Sequence, residues 1–256
     1  MRIDQTSVQL YTVRDFCRTA GDLAATAKKI RAIGYTAVQL SRVGPIAEED
    51  IAAIMKDSGL VICATHEPAQ DILNTPQKVV ERLGKLGCKL TAFPNPGGID
   101  LTNDRELDGL VEKLNTAGAC LRAAGCTLGY HNHAFEFVRF RGAPALEYIY
   151  ARTNPQNVVG ELDTYWIHYG GGDVIDWCRK LRGRLPFIHL KDYCFTRENK
   201  PAYCEIGQGT LPFDRIIPEA EASGCRWFIV EQDTCPGDPF DSLKISFDHL
   251  VSHLCG

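Results

Sequence analysis

The 256-residue sequence has no CxxC pair among its 11 cysteines. Without paired spacing, structural zinc of the ribbon or finger type is set aside. The odd count also leaves no complete disulfide framework. Cys63, Cys88, Cys126 and Cys225 lie inside apolar stretches or beside glycines, which predicts reduced, buried thiols in a cytoplasmic protein. The opening residues Met1-Arg-Ile-Asp-Gln5 lack an apolar signal core. No apolar run reaches the roughly 18 residues that cross a bilayer, so no membrane partner is expected. No basic block is present and the net charge is -4, which argues against nucleic acid as a partner. The chain carries no GxGxxG after its first apolar run, no GxSxG and no HExxH. Those absences count against a dinucleotide site, a serine-hydrolase elbow and a zinc-protease helix. No low-complexity segment or long linker interrupts the chain, and a single domain over 1–256 is expected.

What is present is a rhythm. An amphipathic stretch, a glycine and a short apolar run recur, with Gly34, Gly59, Gly87, Gly125 and Gly224 as the punctuation. A glycine just past a helix end supplies the left-handed residue that stops it. Strands are predicted at Ser7–Thr12, Tyr35–Leu40, Leu60–Thr65, Cys88–Phe93, Cys126–Tyr130, Asn157–Asp163, Leu185–His189 and Cys225–Val230. Helical patterns fill the spaces, the last over Asp241–Leu254. Eight alternating units with near-continuous apolar strands predict an α/β fold, a single (β/α)8 TIM barrel. An open doubly wound sheet is the rival topology.

Four of these strands end in groups that bind metals. They deliver His131, Asp163, His189 and Glu231, and strand C-termini converge on the active face of such a barrel. Mixed imidazole and carboxylate ligands suit manganese, magnesium, cobalt, zinc or iron without forcing one. His133 has the same parity as His131 and can replace it as fourth ligand, leaving the other to carry protons. Lys191 follows the strand-7 histidine and can stabilise negative charge. His66, Glu67, Trp166, Asp192, Gln232 and Gln9 stand at or beside strand ends and are candidate substrate contacts. Glu136 reads as a loop acid. The segment Gly207-Gln-Gly-Thr-Leu-Pro-Phe213 can cradle an anion at a helix start. His168, His249 and His253 read as structural or solvent-facing.

The motifs Gly129-Tyr-His-Asn-His-Ala-Phe-Glu-Phe137, Glu161-Leu-Asp-Thr-Tyr-Trp166, Arg184-Leu-Pro-Phe-Ile-His-Leu-Lys-Asp192, Glu205-Ile-Gly-Gln-Gly209 and Val230-Glu-Gln-Asp233 run the length of the chain. With them it resembles the sugar phosphate isomerase/epimerase family of xylose isomerase-like barrels. The resemblance implies a divalent metal, most often manganese, held by Glu, Asp, His and Glu on strands 5 to 8. Asp163, His189 and Glu231 match the last three, while His131 stands where the first glutamate is expected. In ketose 3-epimerases of the group both glutamates act as paired acid and base, and only Glu231 of that pair remains here. The histidine expected three residues after Asp163 is replaced by Trp166. The likeness extends to inosose dehydratases and keto-sugar lyases.

The expected activity is therefore metal-dependent isomerisation or epimerisation of a sugar or sugar phosphate, through proton abstraction next to a carbonyl by Glu231, His131 or His133. Dehydration of a keto-sugar or inosose is the alternative, and a non-catalytic sugar-binding barrel a further one. A barrel nuclease is disfavoured by the scarcity of strand-end histidines. A homo-oligomer is compatible with the resemblance.

Overall fold

All eight expected strands form, and burial on both faces explains their composition. In the computed structural model, which describes residues 1–255, the strands are β1 (Thr6–Gln9), β2 (Ala37–Leu40), β3 (Val61–His66), β4 (Leu90–Phe93), β5 (Thr127–His131), β6 (Val158–Asp163), β7 (Phe187–Leu190) and β8 (Trp227–Val230). They close into one parallel barrel in the order β1-β8-β7-β6-β5-β4-β3-β2. A strand covered by helices outside and side chains inside has no solvent face, so it reads as an unbroken apolar run.

Helices cover the barrel: α1 (Ala20–Ile33), α2 (Glu48–Asp57), α3 (Ala69–Asn74), α4 (Pro76–Leu86), α5 (Asp104–Ala123), α6 (Ala145–Arg152), α7 (Thr164–Tyr169), α8 (Val174–Lys180), α9 (Phe213–Ala222) and α10 (Pro239–His249). In α4, Pro76 opens the first turn and Val79, Leu83 and Leu86 form the buried stripe. Gly87 ends that helix at φ 66°, a left-handed conformation that glycine adopts without strain. Among the described residues, no helix is long and apolar enough to cross a membrane.

Interior parity decides which side chains meet. A Cβ on Gly129 would lie 2.5 Å from the Phe187 ring, so position 129 faces the barrel axis and must be glycine. His131, two residues on, then faces inward as well. A Cβ on Gly160 would point at Leu181 and Leu185 outside the barrel, which turns Glu161 and Asp163 inward. Register aligns His131 with Glu161, Asp163 with His189, and His189 with Ile229.

Several local expectations differ. The first strand ends at Gln9, not Thr12, and Leu10–Phe16 winds into a 3-10 helix whose first turn is capped by the Gln9 side chain. The short α3 and α7 are elements that the sequence pattern did not announce. α7 starts because the Asp163 carboxylate accepts the Trp166 N–H at 3.0 Å. The irregular stretch after β7 holds an antiparallel hairpin, Asp192–Phe195 with Pro201–Cys204. The last helix gives way to a π-helical turn over Leu250–Leu254.

Candidate metal centre

Asp163, His189 and Glu231 come together at the C-terminal mouth of the barrel. One ligand atom from each falls in a group spanning no more than 4.8 Å. His189 Nδ1 lies 2.9 Å from Glu231 Oε2 and 3.8 Å from Asp163 Oδ2. All three residues are buried. Burial alone would lower the His189 pKa, but Glu161 and Glu231 outweigh it and push it up to about 10. Burial also raises Asp163 to about 6.

The donors fit a divalent ion. Two carboxylates and an imidazole suit manganese, magnesium or a later transition metal. Asp163 Oδ2 is buried and makes no hydrogen bond. The Lys191 ammonium 3.0 Å away supplies charge to it, outside hydrogen-bonding angles. His189 is held for ligation from behind: its Nε2 is 2.7 Å from Gln39 Oε1, an acceptor that favours the Nε2–H tautomer and leaves the Nδ1 lone pair free. Gln39 is fixed in turn by the Gln9 amide, which donates to the same oxygen at 3.0 Å.

Lys191 is the other cation of the centre. It is 1% exposed. Its Nζ lies 3.0 Å from Asp163 Oδ2, 2.8 Å from Glu231 Oε2 and 3.2 Å from Asp233 Oδ2. Burial opposes its charge, yet these three carboxylates hold its pKa well above the ordinary lysine value. The reciprocal effect keeps Glu231 ionised, because Lys191 and His189 overcome the cost of burial.

A cavity of about 980 Å³ opens above this floor, lined on one side by His66, His131, His133, Lys191, Glu231 and Asp233. Its size is at the upper end for small-molecule sites. Burial, reinforced by the Lys191 charge, lowers His133 to about 3, so this imidazole is neutral at ordinary pH. Burial likewise holds His131 well below the usual histidine value.

The chain belongs to the xylose isomerase-like TIM barrel family. That family matches residues 27–252. A protein named inosose dehydratase from Geobacillus kaustophilus (strain HTA426) is 25% identical over 266 residues, covering 87% of this chain and 85% of its own. A crystal structure of a sugar phosphate isomerase/epimerase from Parabacteroides distasonis ATCC 8503 superposes with a TM-score of 0.84 at 21% identity, covering 99% of this chain and 96% of that one. A xylose isomerase-like TIM barrel protein from Mycobacterium smegmatis, solved in complex with magnesium, gives a TM-score of 0.73 at 13% identity over 97% and 95% of the two chains. At these identities the structural likenesses speak for the fold.

Within that fold, some expected site residues take other places. His131 does not join the Asp163 trio. Its Nδ1 turns instead toward Glu161 Oε2, 3.1 Å away, because register sets the two residues side by side. Asp192, expected among the substrate contacts, is buried and does not line the cavity. Its carboxylate accepts the backbone N–H groups of Gly207, Gly209, Leu211 and Tyr193 at 2.8 to 3.2 Å. The anion cradled by the glycine loop is thus part of the protein itself. Gln9 is fully buried behind Gln39, and Gln232 is buried with its backbone N–H on Thr12 Oγ1. Neither lines the cavity. Trp166 also stands off the cavity lining, with Lys191 Nζ 5.6 Å from its ring and His133 packed beside it. His66 and Glu67 do line the cavity, the latter paired with Arg82 at 3.0 Å. Glu136 lies under the His133 loop, accepting from Tyr130 Oη at 3.0 Å and from the His133 N–H at 2.7 Å.

Two residues escaped the sequence reading. Gln39 and Glu161 are polar groups in the middle of apolar strands. The available signal was parity, since Glu161 precedes Asp163 by two and must share its face.

Proposed function

We propose that this protein is a divalent-metal-dependent isomerase or epimerase acting on a sugar or sugar phosphate, and that its reaction begins by removing a proton next to a carbonyl. The observation that carries this reading is Glu231. Its ionised carboxylate faces the cavity and is gripped by Lys191 and His189 directly against Asp163.

Asp163, His189 and Glu231 would hold the metal. A divalent ion held there would supply Lewis acidity toward a substrate carbonyl and its developing negative charge. Lys191 brings a fixed positive charge to the same place, in a site whose burial strengthens it. Glu231 and the neutral His133 both face the cavity and can exchange a proton with substrate carbon. One takes the proton and the other, or the same group, returns it. Arg42 also lines the cavity and forms no ion pair among the described residues, a feature suited to a phosphate on the substrate.

Dehydration is the second reading. It is favoured by His131 standing where the resemblance implies the first of two paired glutamates, since elimination needs one base and one acid and not two matched bases. The inosose dehydratase relative points the same way.

The test is incubation of manganese-loaded protein with a panel of keto-sugars and keto-cyclitols in deuterated water. Deuterium uptake at a carbon next to the carbonyl, without loss of water, supports isomerisation or epimerisation. Release of water supports dehydration. No exchange with any member of the panel counts against both.

A further inference from the structure

Below the Asp163 trio lies a second convergence of ligand atoms. Glu161 on β6 is fully buried, and three imidazoles surround its carboxylate. His66 Nε2 is 2.5 Å from Oε2, His131 Nδ1 is 3.1 Å from Oε2, and His189 Nε2 is 3.3 Å from Oε1. The four ligand atoms span no more than 4.8 Å. We propose that Glu161, His66 and His131 form a second divalent-cation site, adjacent to the first and open to the cavity.

Three observations carry it. First, His131 is 3% exposed and its Nδ1 is buried without any hydrogen bond, although it is aimed at the Glu161 carboxylate. A ring nitrogen this close to a carboxylate is held either by its own N–H or by a cation that both groups bind, and no such N–H bond forms here. Second, the imidazoles crowd one another, with ring centroids 4.6 to 5.4 Å apart. Protonating more than one of them sets like charges side by side, whereas a single bound cation uses their lone pairs. Third, His189 is already committed, its Nε2 to Gln39 and its Nδ1 to the Asp163 centre. That leaves two nitrogens and one oxygen. His66 and His131 both line the cavity, so the fourth position faces it, as in catalytic and not structural metal sites.

Two imidazoles and one carboxylate select zinc, cobalt, iron or manganese over magnesium or calcium. A tetrahedron with bonds of about 2.0 Å has edges of about 3.3 Å. The His66–Glu161 contact must therefore lengthen on loading, and His66, at the open end of β3, is free to give. The site does not depend on which reaction the enzyme performs.

Metal-stripped protein is dialysed against cobalt(II), and bound metal per chain is measured with the visible cobalt spectrum. The expected result is two cobalt ions per chain. His66→Ala and Glu161→Gln each lose one of them, Asp163→Ala loses the other, and circular dichroism reports folding. Saturation of the native chain at one ion that a folded His66→Ala retains and Asp163→Ala loses overturns the proposal. So does an unchanged count of two in a folded His66→Ala. Loss of an ion in His66→Ala but none in Asp163→Ala supports the second site and strikes the first.

Discussion

The Lys191 ammonium lies 2.8 Å from Glu231 Oε2, inside the centre that the same carboxylate would share with a metal. Together Asp163, Glu231 and Asp233 put three carboxylates around this one ammonium. The excess of negative charge makes room for a divalent ion beside the lysine. Removing the lysine should therefore separate two effects. In Lys191→Met without metal, three carboxylates lose their partner, and breaking such a buried network costs on the order of 3 kcal/mol or more. With metal, binding should tighten, because the competing cation is gone. Melting temperatures with and without manganese check this: the variant should start lower and gain more on loading than the native protein. Equal gains would show that the lysine and the ion do not share these oxygens.

Gln39 carries a prediction of its own. It accepts at 2.7 Å from His189 Nε2, and partners of this kind that orient a ligand typically change metal affinity by about 10–100-fold. Gln39→Leu should weaken manganese binding by that order in a calorimetric titration. Gln39→Glu keeps an acceptor for His189 and should recover part of the loss. If Gln39 only fills space, the leucine variant will bind metal as the native chain does.

The barrel was legible because its determinants are local. Gly34 and Gly87 stop helices by their own backbone conformation, and strands buried on both faces announce themselves as apolar runs. The convergence of Asp163, His189 and Glu231 was legible for a related reason, since each stands at the place where an apolar run ends. The failures were non-local. Whether His131 meets Asp163 or Glu161 depends on strand register, which no single segment encodes. Asp192 looked like a site residue because it follows Lys191, but its role is set by a loop some 15 residues later that brings Gly207 and Gly209 over it. Gln39 and Glu161 lacked any local signal beyond parity.

Asp192 gives the next test. Four backbone N–H groups converge on its carboxylate, and a Cβ on Gly209 would fall 2.3 Å from Asp192 Oδ1. Asp192→Ala strands these donors, at about 1–3 kcal/mol for each one left buried without a partner. The urea midpoint should drop clearly, and activity should fall only through loss of folded protein. A substrate-binding role would instead leave the midpoint alone and raise KM.

Glu136 offers a pH dependence whose direction is fixed by its burial. Buried under the His133 loop, its carboxyl is pushed up to about 8 from an ordinary 4.5. Between those values the unfolded chain has released this proton while the folded chain still holds it. Stability from this group is fully present below about pH 4.5 and is lost as pH rises through about 8. The total is on the order of a few kcal/mol. Glu136→Gln removes the titration while keeping a polar group for Tyr130 and the His133 N–H. Thermal melts from pH 5 to 9 should therefore show a decline in the native protein that flattens in the variant. Because His133 stands on the loop that Glu136 ties down, the native decline should be accompanied by increasing proteolytic access at Ala134–Phe137. Parallel melting curves for the two proteins across this range would mean that Glu136 does not hold its proton in the folded state.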